Sequence, residues 1–240
     1  LGSKPAVAWL FPGEGSQYQQ MLSDLCLYFP VVRQWFDTLD QAFPQERPSR
    51  VIFPAPTALS AEEQQQLKQR LFSMDMGSAA VFTASMALYD LLREFGIKSD
   101  VMLGHSTGEN TALVASGTIR LRSREELIGK IRDLNGVYAT LEKQDTIAVG
   151  ALLTVGAIHH DELLQFMAQA PEKLWLAMDN CPNQAVLFGS AADIAAITPR
   201  LKQLGGILTP LPFNRAYHTP LFEPVAQAFA QFYKRLDVGP

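Results

Sequence analysis

The sequence predicts an α/β protein carrying a smaller inserted lobe, and three observations lead there. The apolar run Val101-Met102-Leu103 enters Gly104-His105-Ser106-Thr107-Gly108, and Glu109 to Ser116 is helix-permissive and ends at Gly117. A buried strand, a tight turn with Ser at its tip and a helix form the context in which Gly-x-Ser-x-Gly acts as a nucleophile elbow. Between residues 147 and 213 the apolar period switches repeatedly, in the order β-α-β-β-α-β. That order is the split βαβ pattern of a ferredoxin-like lobe. Finally, 240 residues that are 48% hydrophobic and 18% charged have an ordinary globular composition and suffice for a sizeable core.

Taken in order, Ala6 to Phe11 reads as a buried parallel strand running into the turn Pro12-Gly13-Glu14-Gly15-Ser16-Gln17, whose glycines permit close backbone approach. Met21 to Phe43 has helical apolar spacing, and Pro30 splits it into two helices. Residues 44–60, with Pro44, Pro48, Pro54 and Pro56, read as a connecting loop. Ser60 and Glu63 form a capping box that opens a polar helix to Leu71. Ser78 to Phe95 is a long apolar helix stopped by Gly96. A second capping box, Ser123 to Glu126, starts a helix running to about Leu141.

The insertion then reads as strand Ile147 to Ile158, helix His159 to Ala170, strands Leu174 to Met178 and Gln184 to Phe188, helix Ala191 to Leu204 and strand Gly206 to Phe213. Thr219 to Leu236 closes the chain as an amphipathic helix. The expected organisation is a large subdomain of residues 1–146 and 214–240 and a small subdomain of residues 147–213.

Twenty Lys and Arg against 24 Asp and Glu leave a net charge of −4, with no basic surplus to suggest nucleic acid. Cys26 and Cys181 have no metal-type spacing and read as free thiols, buried small hydrophobes in a reducing, cytoplasmic compartment. No metal site is expected. The longest apolar run, Val149 to Ile158, is too short for a membrane span. There is no signal-peptide pattern, and Leu1-Gly2-Ser3-Lys4 reads as a cloning remnant.

A Ser hydroxyl becomes a good nucleophile when a base takes its proton, most often His. The chain has four. His105 adjoins the Ser and should point away from its Oγ. His159 and His160 precede Asp161-Glu162 at a helix start, where surface or capping roles are the simpler reading. His218 lies in the irregular stretch Phe213 to Pro220, where an active-site base is expected. For the oxyanion, the elbow offers the Thr107 backbone N–H, and the Gly13-Glu14-Gly15 turn offers that of Glu14. The plain alternatives are a Gly-rich β–α turn with a capping Ser, an ordinary Gly turn and a structural loop His.

Four stretches occur in order: Phe11-Pro-Gly-Glu-Gly-Ser-Gln17, Gly104-His-Ser-Thr-Gly-Glu109, Asn180-Cys-Pro-Asn-Gln-Ala-Val186 and Ala216-Tyr-His-Thr-Pro220. Over nearly its whole length the chain resembles the malonyl-CoA:acyl carrier protein transacylase-like acyltransferase domains of fatty acid and polyketide synthases. The wording around Asn180 and His218 resembles the iterative branch, including enediyne and polyunsaturated fatty acid synthases. The resemblance implies an α/β-hydrolase-like core with an inserted ferredoxin-like small subdomain. It also implies a Ser106–His218 dyad that moves an acyl group, usually malonyl, from coenzyme A to the phosphopantetheine thiol of an acyl carrier protein. Both thioesters are substrates, and no bound cofactor is implied. Neighbouring synthase domains, such as a ketosynthase, are implied partners.

The resemblance further places His105, Tyr217 and Asn180 at the substrate. An Arg on the helix after the elbow helix would pair with the malonyl carboxylate. Arg132, 26 residues beyond Ser106, matches best, with Arg120, Arg122 and Arg124 as rivals and a solvated helix face as the plain alternative. Some positions depart from the family pattern. Glu14 stands where Gln is usual, Ser78-Ala79 where a Gln-Pro pair is usual, and Tyr217 where Phe is usual. The chain stops at Pro240, where the family generally continues with a carbonyl that orients the His.

Two other functions fit parts of the pattern. A serine hydrolase or thioesterase needs a triad acid before the His in chain order, and Asp179 or Asp193 offers one. A non-catalytic module that docks a carrier protein would use basic residues such as Arg120, Arg122, Arg124 and Lys130.

Overall fold

The computed structural model describes residues 6–144 and 147–239. The Leu1 to Lys4 stretch and the expected boundary at 146 lie outside the described residues. The chain divides into two compact units, Leu1–Tyr138 with Phe232–Pro240, and Ala139–Gln231.

The first unit holds strand β1 (Ala8–Phe11), helices α1 (Ser23–Tyr28), α2 (Pro30–Ala42), α3 (Pro48–Ile52), α4 (Ala61–Leu71) and α5 (Met74–Glu94), strand β2 (Val101–Gly104) and helix α6 (Gly108–Ala115). Most of α7 (Arg124–Lys143) also belongs to it. Pro30 begins α2, where its missing N–H costs nothing. Val32, Phe36 and Leu39 of α2 pack with Val51 and Ile52 of α3 and with Met76, Ala80, Ala87 and Leu91 of α5. Both halves of the Ser60–Glu63 capping box form, and they hold the Glu63 carboxyl below its ordinary value. Ser123 Oγ accepts from the Glu126 N–H at 3.2 Å.

β1 and β2 pair in parallel, Ala8 with Val101 through Phe11 with Gly104. Parallel register brings the C-terminal ends of both strands to one edge, where ligands bind in open α/β sheets. Trp9, Phe11 and Met102 pack on Met86 and Tyr89 of α5 and on Ala112 and Ala115 of α6. The opposite face is not buried as the apolar runs predict: Leu10 is 70% exposed and Leu103 57%. Successive strand side chains point to opposite faces, and α5 and α6 cover one of them.

The second unit holds β3 (Ala151–Gly156), α8 (His160–Gln169), β4 (Leu174–Cys181), β5 (Gln184–Gly189), α9 (Ala191–Gln203), β6 (Ile207–Pro210), a 3₁₀ turn (Pro220–Phe222) and α10 (Glu223–Tyr233), whose last two residues join the first unit. The four strands form one antiparallel sheet in the order β4-β5-β3-β6. Leu153, Val155 and Leu187 face Leu163 of α8 and Ile194, Ile197 and Leu201 of α9. The alternate residues Leu152, Val186 and Phe188 pack with Trp175, Phe213, Ala216 and Tyr217.

Three local expectations change. The proline-rich loop contains α3, because Pro48 stands at its first turn, where Pro initiates rather than breaks. Helix α5 starts at Met74, four residues before the expected Ser78. Inside α5, a Cβ on Gly77 would sit 2.9 Å from the Gln17 side-chain nitrogen, so the glycine makes room for Gln17. Cys26 packs at the edge of the α2–α5 core, and burial raises its thiol pKa, but Cys181 is exposed rather than buried. Its Sγ lies 3.2 Å from Asn183 Oδ1 at the β4–β5 turn. No single helix among the described residues is long and apolar enough to cross a membrane.

Candidate active site

Ser106 sits between β2 and α6 with φ 52°, in the left-handed region that a non-glycine residue rarely adopts. Such strain costs on the order of 1–3 kcal/mol and persists where the surroundings over-determine it. They do so here. The His105 N–H donates to the Phe11 carbonyl at 3.0 Å, and the Gly108 N–H to the His105 carbonyl at 2.9 Å. A Cβ on Gly104 would overlap the backbone of Gly108 and Glu109, and one on Gly108 would overlap the Phe11 carbonyl. Both glycines of the motif are therefore steric requirements of the turn.

The parallel register places the Gly13-Glu14-Gly15 turn against this elbow. A Cβ on Gly13 would lie 2.7 Å from the His105 carbonyl oxygen and 3.1 Å from Ser106 Cβ. The Glu14 N–H donates to Thr107 Oγ1 at 3.1 Å. Glu14, His105, Ser106 and Thr107 are thus brought together. The N–H expected to bind an oxyanion has the neighbouring hydroxyl as its partner here, so it must exchange that partner to meet a substrate.

Beside Thr107 a cavity of about 80 Å³ runs between α5, α6 and α7. Ser78, Asn110 and Asn135 contribute polar groups to a lining that is otherwise mainly apolar, including Phe82, Val114, Ile131 and Leu134. Asn110 Oδ1 accepts from the Tyr233 hydroxyl at 2.6 Å. Asn135 Nδ2 is buried with no hydrogen-bond partner among the described residues. Ser78 hydrogen-bonds buried Tyr138. Burial raises the Tyr138 hydroxyl well above its ordinary value, and the nearby negative charge of Glu14 adds to the shift. The sequence reading passed over Asn135. Its signal was a lone amide at helical spacing from Leu127, Ile131 and Leu134.

Arg132 is exposed and donates to the Gln41 carbonyl at the end of α2, a helix C-terminus where a cation is favoured. It does not line the cavity; Lys130 does. The rivals are engaged elsewhere or exposed. Arg122 pairs with Asp237 at 3.0 Å, the Arg120 guanidinium lies against Gly239, and Arg124 is exposed.

In the second unit His218 is exposed, and with φ 58° it too is left-handed. Its loop is anchored. The Gly150 N–H donates to the Asn214 carbonyl at 2.9 Å, the Ala216 N–H to the Ala148 carbonyl at 3.1 Å, and Thr219 Oγ1 to the Ala216 carbonyl at 2.7 Å. Tyr217 packs edge-to-face with Phe213 and tilted against Phe222, at 5.9 and 5.1 Å between ring centroids. Asn180, at the exposed end of β4, donates to Gln184 Oε1 at 3.3 Å. His159 caps α8, accepting from the Asp161 N–H at 3.4 Å. The two acids that a hydrolase triad would draw on have other partners. Asp179 lies 3.2 Å from His160 Nδ1, within ion-pair distance but outside hydrogen-bond geometry. Asp193 accepts from Ser190 Oγ at 2.7 Å at the start of α9.

A serine held in the left-handed region at a strand–helix turn, with a second glycine turn against it, has the backbone geometry of a nucleophile elbow. Residues 8–237 match the family described as acyl transferase domain, and the chain belongs to it. It is 28% identical over 238 residues to one of the polyunsaturated fatty acid synthase polypeptides of Thraustochytrium sp., covering 95% of this chain and 8% of that protein. It is 27% identical over 233 residues to the malonyl CoA-acyl carrier protein transacylase of Bacillus subtilis, covering 97% and 69%. The solved malonyl CoA-acyl carrier protein transacylase of Coxiella burnetii superposes with a TM-score of 0.77 at 24% identity, covering 97% of this chain and 69% of that one, which shows a shared fold.

Proposed function

We propose that the chain transfers an acyl group from a coenzyme A thioester to the phosphopantetheine thiol of an acyl carrier protein, through an ester on Ser106. The observation that carries the reading is the left-handed Ser106 at the elbow with the Gly13–Gly15 turn against it. In the first step His218 takes the Ser106 proton, and Oγ attacks the thioester carbonyl. The oxyanion is met by the N–H groups of Thr107 and Glu14, and collapse expels the coenzyme A thiolate, which His218 reprotonates. In the second step the carrier thiol passes its proton to His218 and attacks the Ser106 ester. Ser106 leaves as the alkoxide and recovers a proton from His218. No cofactor enters either step.

The role of His218 is supported by its anchored, left-handed loop and by the capping and ion-pair partners of His159 and His160. His105, Tyr217 and Asn180 are proposed to contact the substrate; the Gly13–His105 packing and the edge-to-face packing of Tyr217 on Phe213 support this for the first two. The sheet order β4-β5-β3-β6 supports a ferredoxin-like small subdomain at residues 147–213, set into an α/β-hydrolase-like core. A carrier protein partner and a malonyl group follow the name of the Bacillus relative. Placement within a larger synthase follows the name of the Thraustochytrium relative, and a neighbouring ketosynthase follows the family resemblance alone. A cytoplasmic location is proposed from two free thiols. Arg132, bonded to Gln41, gives the malonyl clamp no geometric support.

Intact-mass measurement after incubation with acyl-CoA donors tests the reading. An adduct discharged to an added holo acyl carrier protein supports transfer. Turnover to the free acid without discharge to the carrier points to a hydrolase, and neither adduct nor turnover to a docking module.

A further inference from the structure

We infer that the side-chain hydroxyl of Thr107 is a third donor to the oxyanion formed as Ser106 is acylated, beside the N–H groups of Thr107 and Glu14. The inference rests on the acyl-transfer reading and adds a catalytic residue to that same site. Thr107 stands at the N-cap of α6, where a Thr hydroxyl ordinarily accepts from the second or third N–H of the helix. It makes no such bond. The N–H groups of Gly108, Glu109 and Asn110 are already taken by the carbonyls of His105, Ser106 and Thr107, at 2.9, 3.0 and 3.2 Å. The hydroxyl is thereby released from capping and turns across to the glycine turn after β1. There its Oγ1 accepts from the Glu14 N–H at 3.1 Å.

The glycine turn is held so that this bond forms. Ser16 Oγ donates to the Gly13 carbonyl at 2.9 Å. In a trans peptide the carbonyl and the following N–H point in opposite directions, so anchoring the Gly13 oxygen aims the Glu14 N–H at Thr107. The Gly15 N–H is fixed in turn by Oε1 of buried Gln17 at 2.7 Å. A hydroxyl has one hydrogen to donate and two positions at which to accept. Glu14 uses one of the accepting positions; neither the hydroxyl hydrogen nor the Thr107 N–H has an acceptor among the described residues. An oxyanion is stabilised by donors about 2.7–3.1 Å from the place where its charge develops. With Oγ1 3.1 Å from the Glu14 nitrogen, one oxygen can lie within that distance of both. As Ser106 Oγ bonds to the thioester carbon, the carbonyl π pair moves onto oxygen. The Glu14 N–H passes from Thr107 Oγ1 to that oxygen, and the Oγ1 hydrogen turns onto it as well. No proton leaves the hydroxyl. It accepts in the resting site and donates only at the tetrahedral stage, so it lowers the barrier without tightening the ground state.

The test follows Ser106 ester formation by intact mass against the concentration of malonyl-CoA and acetyl-CoA, in the parent chain and in Thr107→Val, Thr107→Ala, Thr107→Ser and Ser16→Ala. Val keeps the shape of Thr and removes the hydroxyl, Ala removes it with less bulk, and Ser keeps it. Circular dichroism verifies each fold. Thr107→Val and Thr107→Ala should lower the maximal acylation rate by about 10²-fold or more with little change in KM, for both donors alike. Thr107→Ser should retain most of the parent rate. Ser16→Ala loosens the Gly13–Glu14 peptide but leaves the Thr107 hydroxyl in place, so it should cost much less than Thr107→Val. A Thr107→Val chain that acylates as fast as the parent, or faster, overturns the inference, because the hydroxyl then only fills the oxyanion position at rest. A loss confined to KM overturns it, as does a loss that Ser does not restore. Equal losses in Ser16→Ala and Thr107→Val also overturn it, since the hydroxyl would then only hold the Glu14 peptide in place. No adduct from the folded parent chain with either donor is a different failure, that of the acyl-transfer reading itself, and takes this inference with it.

Discussion

Replacing Gly108 by Ala should damage both the stability and the chemistry of the first unit. A Cβ at this position falls on the Phe11 carbonyl and lies 2.7 Å from the Pro12 carbonyl oxygen. Those atoms are backbone, so no flexible side chain can give way, and α6 must lift off β1. Overpacking of this kind costs about 1–3 kcal/mol, and an unyielding backbone places the variant at the top of that range. The displacement separates the Ser106 turn from the Gly13–Gly15 turn. A misplacement of about 1 Å is enough to cost roughly a hundredfold in rate. Gly129→Ala is the contrast: it lies inside α7 with nothing within 4 Å of the added methyl. It should stabilise by about 0.5–1 kcal/mol and leave acylation alone. Urea unfolding followed by circular dichroism, read as a midpoint shift at constant m, gives the stabilities, and adduct formation gives the rates. If Gly108→Ala unfolds and acylates like the parent, the steric account of the elbow is wrong.

Other consequences can be measured directly. Asp75 accepts from Arg70 at 2.7 and 2.9 Å. Burial pushes its carboxyl up, but the hydrogen bonds and charge of Arg70 outweigh this and hold it below its ordinary 3.8. Its contribution is therefore complete above that pH and lost as pH falls through the lowered value. Asp75→Asn should cost about 1–2 kcal/mol at neutral pH, with the difference closing on acidification below about pH 3.8 in thermal melts. Arg132→Ala loses a helix-end hydrogen bond worth about 1 kcal/mol. It should leave the malonyl-to-acetyl loading ratio unchanged, and a selective loss of malonyl loading would restore Arg132 as the clamp. His218→Ala should slow acylation by about 10²–10⁴-fold, whereas His159→Ala should affect only the cap of α8.

What could be read from the chain, and what could not, divides along physical lines. Features set by neighbours in sequence were legible: the Ser60 capping box, the Pro30 break, and the strand–Ser–helix run around Ser106. The βαββαβ order was legible because the two periods differ. Pro48 misled because a proline has two meanings. Pro starts a helix as readily as it ends one, and Gly77 answers to Gln17, 60 residues away in sequence. The direction of Arg132 depends on where the end of α2 lies, which no local pattern records. Asn135 was legible in principle, but a single amide on an apolar stripe gains meaning only once the cavity it borders is seen. The Glu14–Thr107 bond needs the parallel register of β1 and β2, which brings together residues 93 apart.

The central claim is that Ser106 carries the acyl group. Peptide mapping by tandem mass spectrometry after a short incubation with an acyl-CoA donor tests it most directly. The account predicts acyl mass on the peptide containing Gly104 to Gly108, localised to Ser106, absent in Ser106→Ala and removed by a carrier protein thiol. Acyl mass at Cys181 or a lysine, unchanged in Ser106→Ala, would contradict it.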